Sequence, residues 1–292
     1  MNFKDRIIRA TGKKAPFRLI VVDLTATMNE IGAMHNAKGY SLKLLAENTI
    51  ASIFLSAGLK YAGTVTFTTK FSGEISCIQS DSTPMGLMRA MIPQEELQTV
   101  GANEPAIVPQ TINVIKIDEN GKRVHESIIE APGISMGQNL ATYLLQSEQV
   151  RSAVGIEAQF SKADPSKLDY AAGFYIEAFP DLEEKDIMLL EQIVLNLPKF
   201  HELYKAEGFD LDELLDQLRG PYEIDIVREI TPKAYCPCNQ EHMEASVAAL
   251  PLNDLKELEK DGEDLDVTCD FCRRKYKITI DDLREIIKSR SK

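Results

Sequence analysis

The sequence predicts an α+β protein: a large N-terminal domain of mixed sheet and helix, a helical linker, and a small C-terminal unit. Three observations carry this. Up to residue 180, β-branched runs group into hairpins with occasional helical stretches, whereas a doubly wound fold would alternate strand and helix. After Pro180 the chain turns acidic and its apolar residues fall at helical spacing. The last sixty residues hold four of the five cysteines, in two close pairs.

The elements follow in order. "FRLIVVDLT" (17–25) reads as a strand, and "GTVTFTTKFSGEISCIQS" (63–80) as a hairpin around Ser72-Gly73. Between them Leu42, Leu45, Ile50, Ile53 and Phe54 mark a mostly buried helix over "SLKLLAENTIASIFLSAGLK". "INVIKIDENGKRVHESIIEA" (112–131) is a second hairpin, for which Asn120-Gly121 signals a type I′ turn. A helix follows at "GQNLATYLLQSEQVRSA", then strands at "GIEAQFSK" and "YAAGFYIEAF". These elements make up an N-terminal domain over 1–180.

Residues 181–232 form the expected linker, with short amphipathic helices at "LEEKDIMLLEQIVLNL", "FHELYKAEG" and "DLDELLDQLRG", punctuated by Pro198, Gly208 and Gly220. Helices this short take their stability from docking more than from propensity. Residues 233–292 make the C-terminal unit: helices at "MEASVAAL" and "NDLKELEK", a hairpin at "DVTCDFCRRKYKITI", and a terminal helix at "DLREIIKS" with Asp282 as its expected N-cap and Glu285 three residues on.

At 292 residues the chain can bury a substantial core, and 44% hydrophobic with 27% charged residues is an ordinary soluble composition. A net charge of −12 argues against a nucleic-acid or anionic-membrane partner, which needs a positive footprint. The early apolar run "LIVV" is too short for a signal sequence, and no stretch approaches the ~18 apolar residues of a membrane span. A cytoplasmic chain is expected, in a compartment where paired cysteines more often serve metal or redox chemistry than structural disulfides.

Cys236 and Cys238 flank Pro237 in "YCPCNQ"; thirty residues later "CDFC" supplies Cys269 and Cys272. Four thiolates match the soft, tetrahedral preference of zinc, and a site filled by four protein ligands is structural, not catalytic. Closing the loop between the pairs costs about 3 kcal/mol, against roughly 10–16 kcal/mol returned by zinc in small domains. One zinc per reduced chain is therefore expected, with His242 a surface residue. A purely structural zinc ribbon serving as an interaction module satisfies this spacing. The tight Cys236-Pro237-Cys238 pair points further: it can close only a small, strained ring, and strained disulfides are labile. Cys269 and Cys272 can also pair locally, and neither bond would cross-link the fold.

These residues carry a resemblance. "CPC", thirty residues and "CDFC", with "LPLNDLKELEKDGEDLDVTCDFCRRKY" running in and through, is similar to the zinc domain of the heat-shock protein 33 family. Upstream, "LKYAGTVTF" (59–67), "YLLQSEQV" (143–150) and "AAGFYIEAFP" (171–180) resemble its N-terminal domain in the same order. Two departures stand out: Arg273 follows the second cysteine pair where the family commonly has glycine, and "KFSGEISCIQSDST" lacks the family's glycine-rich turn. The resemblance implies an ATP-independent holdase that is not an enzyme. In such proteins the reduced, zinc-bound form is largely inactive. Oxidant and mild unfolding form Cys236–Cys238 and Cys269–Cys272, release zinc, loosen the zinc domain and linker, and uncover apolar surface for unfolding clients. It also implies a homodimer when oxidised.

Two rival motifs compete. Gly133-Ile134-Ser135-Met136-Gly137 fits the G-x-S-x-G nucleophile elbow, but the expected alternative is a strand-to-helix turn capped by Ser135 or a neighbour. The basic "CRRKYK" beside the second pair would suit a nucleic-acid module, yet "EKDGEDLD" just before it cancels its charge. Cys77, in an apolar strand, is expected to be an inert buried thiol.

Overall fold

The computed structural model describes residues 5–59, 62–73, 76–93, 95, 99–100, 104–105, 108–133, 135–205 and 208–290. It is an α+β fold that divides into two compact units, Met1–Tyr235 and Cys236–Lys292. Among the described residues no helix is long and apolar enough to cross a membrane.

The first unit opens with an antiparallel pair, β1 (Arg6–Gly12) and β2 (Phe17–Asp23). Two helices follow, α1 (Thr25–Met34) and α2 (Gly39–Ala57). The chain then runs through β3 (Gly63–Ser72), β4 (Cys77–Ser82) and β5 (Leu87–Met91), then the hairpin β6 (Val108–Asp118) and β7 (Arg123–Glu130). Helix α3 (Met136–Tyr143) continues into a π turn over Leu144–Glu148, which Gln149 ends in the left-handed region at φ 57°. Two long strands, β8 (Ser152–Phe160) and β9 (Leu168–Ala178), precede α4 (Glu184–Leu195), α5 (Phe200–Leu203) and α6 (Leu211–Arg219). The unit closes with β10 (Ile224–Ile230) and β11 (Lys233–Ala234).

The strands form a five-stranded antiparallel sheet, β8-β9-β2-β1-β10, and a six-stranded sheet, β11-β5-β4-β3-β6-β7, in which only β11 runs parallel to its neighbour. The central strands β2 and β9 of the five-stranded sheet are buried on both faces, which explains the unbroken apolar run in β2. Ile20 and Val22 enter one core with α2 and the inner face of the six-stranded sheet; Phe17, Leu19 and Val21 enter a second core beneath α4, α5 and α6. Helix α2 is buried along most of its length because it lies within the first core, and its buried polar side chains need partners there. Its polar Asn48 is fully hydrogen-bonded, donating to Phe67 O (3.2 Å) and Ser80 Oγ (2.8 Å) and accepting from Thr69 Oγ1 (2.7 Å).

Helix α6 shows why the acidic stretch docks. Leu211, Leu214, Leu215 and Leu218 recur at helical spacing and are buried, and the Asp210 carboxylate caps the helix by accepting from Glu213 N at 2.8 Å. Helices α4 to α6, all within 181–232, thus cover the second face of the five-stranded sheet. In "FHELYKAEG" only Phe200–Leu203 is helical; Tyr204–Lys205 turns into a two-residue ladder with Gly208–Phe209, and residues 206–207 lie outside the described ones.

The 118–122 turn also departs from expectation. Gly121 has φ 78°, Asn120 has no positive φ, and Gly121 N donates to Asp118 O. This is a type I turn closed by a left-handed glycine, not type I′. Cys77, the first residue of β4, is half-buried because the strand's alternation gives the core position to Ile78.

The second unit comprises α7 (Gln240–Ala248), α8 (Leu252–Asp261), the hairpin β12 (Leu265–Thr268) and β13 (Lys275–Ile278), and α9 (Ile280–Arg290). Its core is five buried side chains: Val247, Leu255, Ile278, Leu283 and Ile287. The N-cap of α9 is Thr279, not Asp282. Thr279 N donates to Asp282 Oδ2 (3.1 Å) and Asp282 N to Thr279 Oγ1 (3.2 Å), a reciprocal capping box.

Candidate metal centre

The two cysteine pairs sit on different local structures. Cys236 and Cys238 lie just before α7. Asn239 caps that helix by accepting from His242 N at 2.8 Å, so the helix start fixes the backbone leaving Cys238. Gln240 Nε2 donates to Lys277 O at 2.9 Å and ties the same turn to β13. Cys269 and Cys272 form the bend of the β12–β13 hairpin, closed by Cys269 N donating to Arg274 O and Arg273 N to Cys269 O, both at 2.9 Å. Arg273 holds φ 57° there, in the left-handed region that favours glycine, which gives the departure at this position a physical meaning.

The four sulfurs lie within 4.8 Å of one another. Cys236 Sγ is 3.8 Å from Cys269 Sγ, and Cys238 Sγ is 3.3 Å from Cys272 Sγ. For bonds of ~2.3 Å, as in zinc thiolates, the edge of a sulfur tetrahedron is ~3.8 Å, so the set is already near the spacing a tetrahedral ion needs. Cys238 and Cys269 are buried, at 7% and 5% exposure, whereas Cys236 and Cys272 are half-buried. Burial, with the adjoining Cys238 and Cys269 thiols, pushes the Cys272 thiol up to about 12. Four sulfurs at this spacing make a donor set that fits a soft metal ion.

The cluster contains no other ligand type among the described residues. His242 is exposed, with Nδ1 3.1 Å from Pro237 O. Lys277 of the basic "CRRKYK" pairs with Asp264 at 3.0 Å, the cancellation expected from the adjoining acidic run.

One neighbour escaped the sequence reading. The Tyr276 hydroxyl donates to Cys238 O at 3.0 Å and lies 3.2 Å from Cys238 Sγ. A lone tyrosine in a hairpin carries no motif that would have flagged it.

The nucleophile elbow does not assemble. Ile134 lies outside the described residues; Ser135 is the N-cap of α3, but its side chain makes no capping bond. In place of the expected cap by Ser135 or a neighbour, the Asn139 amide, one turn into α3, accepts from Gly133 N (2.9 Å) and donates to Gly133 O (2.8 Å), which ties the preceding turn to the helix. The adjoining sheet is antiparallel, and the downstream histidines pair elsewhere, His201 with Glu202 and His242 with Pro237.

A family model described as Hsp33 protein matches residues 5–279. Two curated relatives from Streptococcus pneumoniae, strain JJA and serotype 19F strain G54, are each named 33 kDa chaperonin. Each is 25% identical over 292 residues, covering 98% of this chain and 100% of the relative. A crystal structure of the 33 kDa chaperonin (heat shock protein 33 homolog) from Thermotoga maritima superposes with a TM-score of 0.84 over 99% of both chains, at 18% identity. At that identity the superposition speaks for the fold.

Proposed function

The chain belongs to the Hsp33 family, and from that premise we propose that it is a redox-regulated, ATP-independent holdase. Its reduced form is inactive and holds one zinc ion through Cys236, Cys238, Cys269 and Cys272. The observation that carries the reading is the convergence of the four sulfurs within 4.8 Å in a unit whose core cluster, among the described residues, has five buried side chains. Zinc, when bound, supplies the cross-link that so small a core lacks.

Oxidation removes the ligands. In each pair, Cys236 with Cys238 and Cys269 with Cys272, two thiolates give two electrons to one peroxide; an S–S bond forms and the peroxide oxygens leave as water after protonation. Each pair offers one half-buried sulfur that an oxidant reaches and one buried sulfur behind it. With the ligand set gone, residues 233–292 lose their staple and the linker, 181–232, loosens with them. Helices α4 to α6 cover Phe17, Leu19, Val21, Tyr170 and Phe174, so their loosening would uncover an apolar sheet face for unfolding clients in the cytoplasm. The oxidised chain is read as a homodimer, and neither nucleic acid nor membrane is a partner in this scheme.

The test measures zinc content, aggregation suppression and hydrogen exchange together, before and after peroxide. The reading expects loss of one zinc, gain of suppression, and loss of protection over 181–292 that reductant and zinc restore. Zinc loss with no gain of suppression would leave a structural zinc ribbon acting as an interaction module.

A further inference from the structure

Tyr276 lies two residues before Ile278 on β13, so both side chains leave the same face of the hairpin. Ile278 enters the small core, and the Tyr276 hydroxyl reaches Cys238, 3.0 Å from its carbonyl oxygen and 3.2 Å from its sulfur. Arg274 Nη1 stands 3.4 Å from the same hydroxyl. A guanidinium donates and never accepts, so Arg274 occupies a lone pair of the phenol oxygen and cannot take its proton. The phenol has one proton, and the two other atoms placed to receive it both belong to Cys238.

We propose that Tyr276 is a positioning residue of the metal site: it shares its proton between the carbonyl oxygen and the sulfur of Cys238, and Arg274 fixes that direction. The carbonyl bond holds the backbone of the Cys-x-Cys turn against β13. The sulfur bond stabilises negative charge on the most enclosed ligand of its pair and lowers its nucleophilicity. Tyr276 thereby makes the two ligands of the first pair unequal, one sulfur being hydrogen-bonded and buried while Cys236 is more open. The inference rests on the zinc reading above.

The full-length reduced chain, loaded with cobalt(II) in place of zinc, provides the test. Tyr276→Phe keeps the ring and deletes the proton. It should move the sulfur-to-cobalt charge-transfer band to lower energy and raise the zinc dissociation constant about 10-fold in chelator competition. Arg274→Met keeps the phenol but frees its orientation, and should move the band the same way by less. A purely packing role for the ring would leave the band in place in both variants, and that result overturns the inference. Should Tyr276→Phe fail to load cobalt, Arg274→Met decides alone: a shifted band supports the inference and an unshifted one overturns it. A wild-type chain that loads no metal overturns the zinc reading and the inference together, whereas unshifted bands in loaded chains sink the inference only.

Discussion

In the first unit, strand β2 buries side chains on both faces, and α2 is enclosed along nearly its whole length. In the second, five buried side chains stand where the first unit has two extended clusters, and the remaining order converges on four sulfurs. The contrast is one of what each unit depends on. Burial of apolar surface is spread over dozens of contacts and cannot be withdrawn at a stroke. A thiolate cage around a metal ion, as proposed for the second unit, would depend on the protonation and oxidation state of four atoms, so chemistry at one point would reach the whole unit.

The largest effect that could break this comparison is metal removal. A tight chelator added to the reduced chain should withdraw on the order of 10–16 kcal/mol from the second unit. Hydrogen exchange should then show protection collapsing across 240–290 while β2 and β9 keep theirs. An even loss through both units would mean that they do not stand apart.

Core truncation sharpens the contrast at the next scale. Leu45→Ala in the first unit and Leu255→Ala in the second each delete a fully buried leucine, at a cost of roughly 2–5 kcal/mol. The expected difference lies in the metal: Leu255→Ala should raise the zinc dissociation constant, and Leu45→Ala should leave it unchanged. Zinc loss in Leu45→Ala would contradict the division.

Acid should push the two units in opposite directions. Burial pushes the Asp23 carboxyl up to about 6, with the nearby Asp5 carboxylate adding to the rise. A carboxyl raised above its unfolded value of ~3.9 binds protons more tightly in the folded state. Its contribution is therefore fully present below the unfolded value and is lost as pH rises through about 6. Denaturant melts at pH 5 and pH 7.5 should show the first unit gaining stability from this group in acid, and Asp23→Asn should flatten the difference. The second unit should lose zinc over the same descent, because protons compete for its thiolates. A first unit that weakens in parallel with zinc loss, in wild type and Asp23→Asn alike, would remove the contrast.

The smallest effect concerns Arg273. Replacing it with glycine relieves a left-handed φ of 57° and should stabilise the metal-loaded second unit by up to about 1 kcal/mol. Thermal melting would register this as a modest rise in that transition; a fall would show that contacts of the arginine side chain outweigh its backbone strain.

Much of this architecture was legible in the sequence where a pattern had a single cause. The apolar run of β2, the leucine spacing of α6 and the paired cysteines each map to one arrangement. Strand β10 went unread because Asp225 to Glu229 are exposed on an edge strand, so no buried alternation marks it. The short α5 deceived because Phe200 and Leu203 pack as helical residues do, while the next residues turn into a ladder on tertiary grounds. At the site, the grouping of the four cysteines was readable from spacing, but the approach of Tyr276 to them was not: it depends on a hairpin register that places Val267 opposite Tyr276 and its hydroxyl at a turn thirty-eight residues upstream. Thr279 and Asp282 both suit a helix start, and only the reciprocal bonds between them assign the roles.

The two-faced sheet has a consequence for how this chain can change over generations. In β2 and β9, neighbouring residues serve different compartments: Ile20, Val22, Ala171 and Tyr175 belong to one core, and Leu19, Val21, Ala172 and Phe174 to the other. A one-residue insertion in either strand would trade the contents of the two cores wholesale, a far harsher event than any substitution. Tolerance to mutation should therefore alternate with parity along these strands. One parity answers only to permanent packing, while the other must also suit a covering formed by α4 to α6. A saturation library across 17–23 and 170–178 would display that alternation as two interleaved profiles on a single strip of chain.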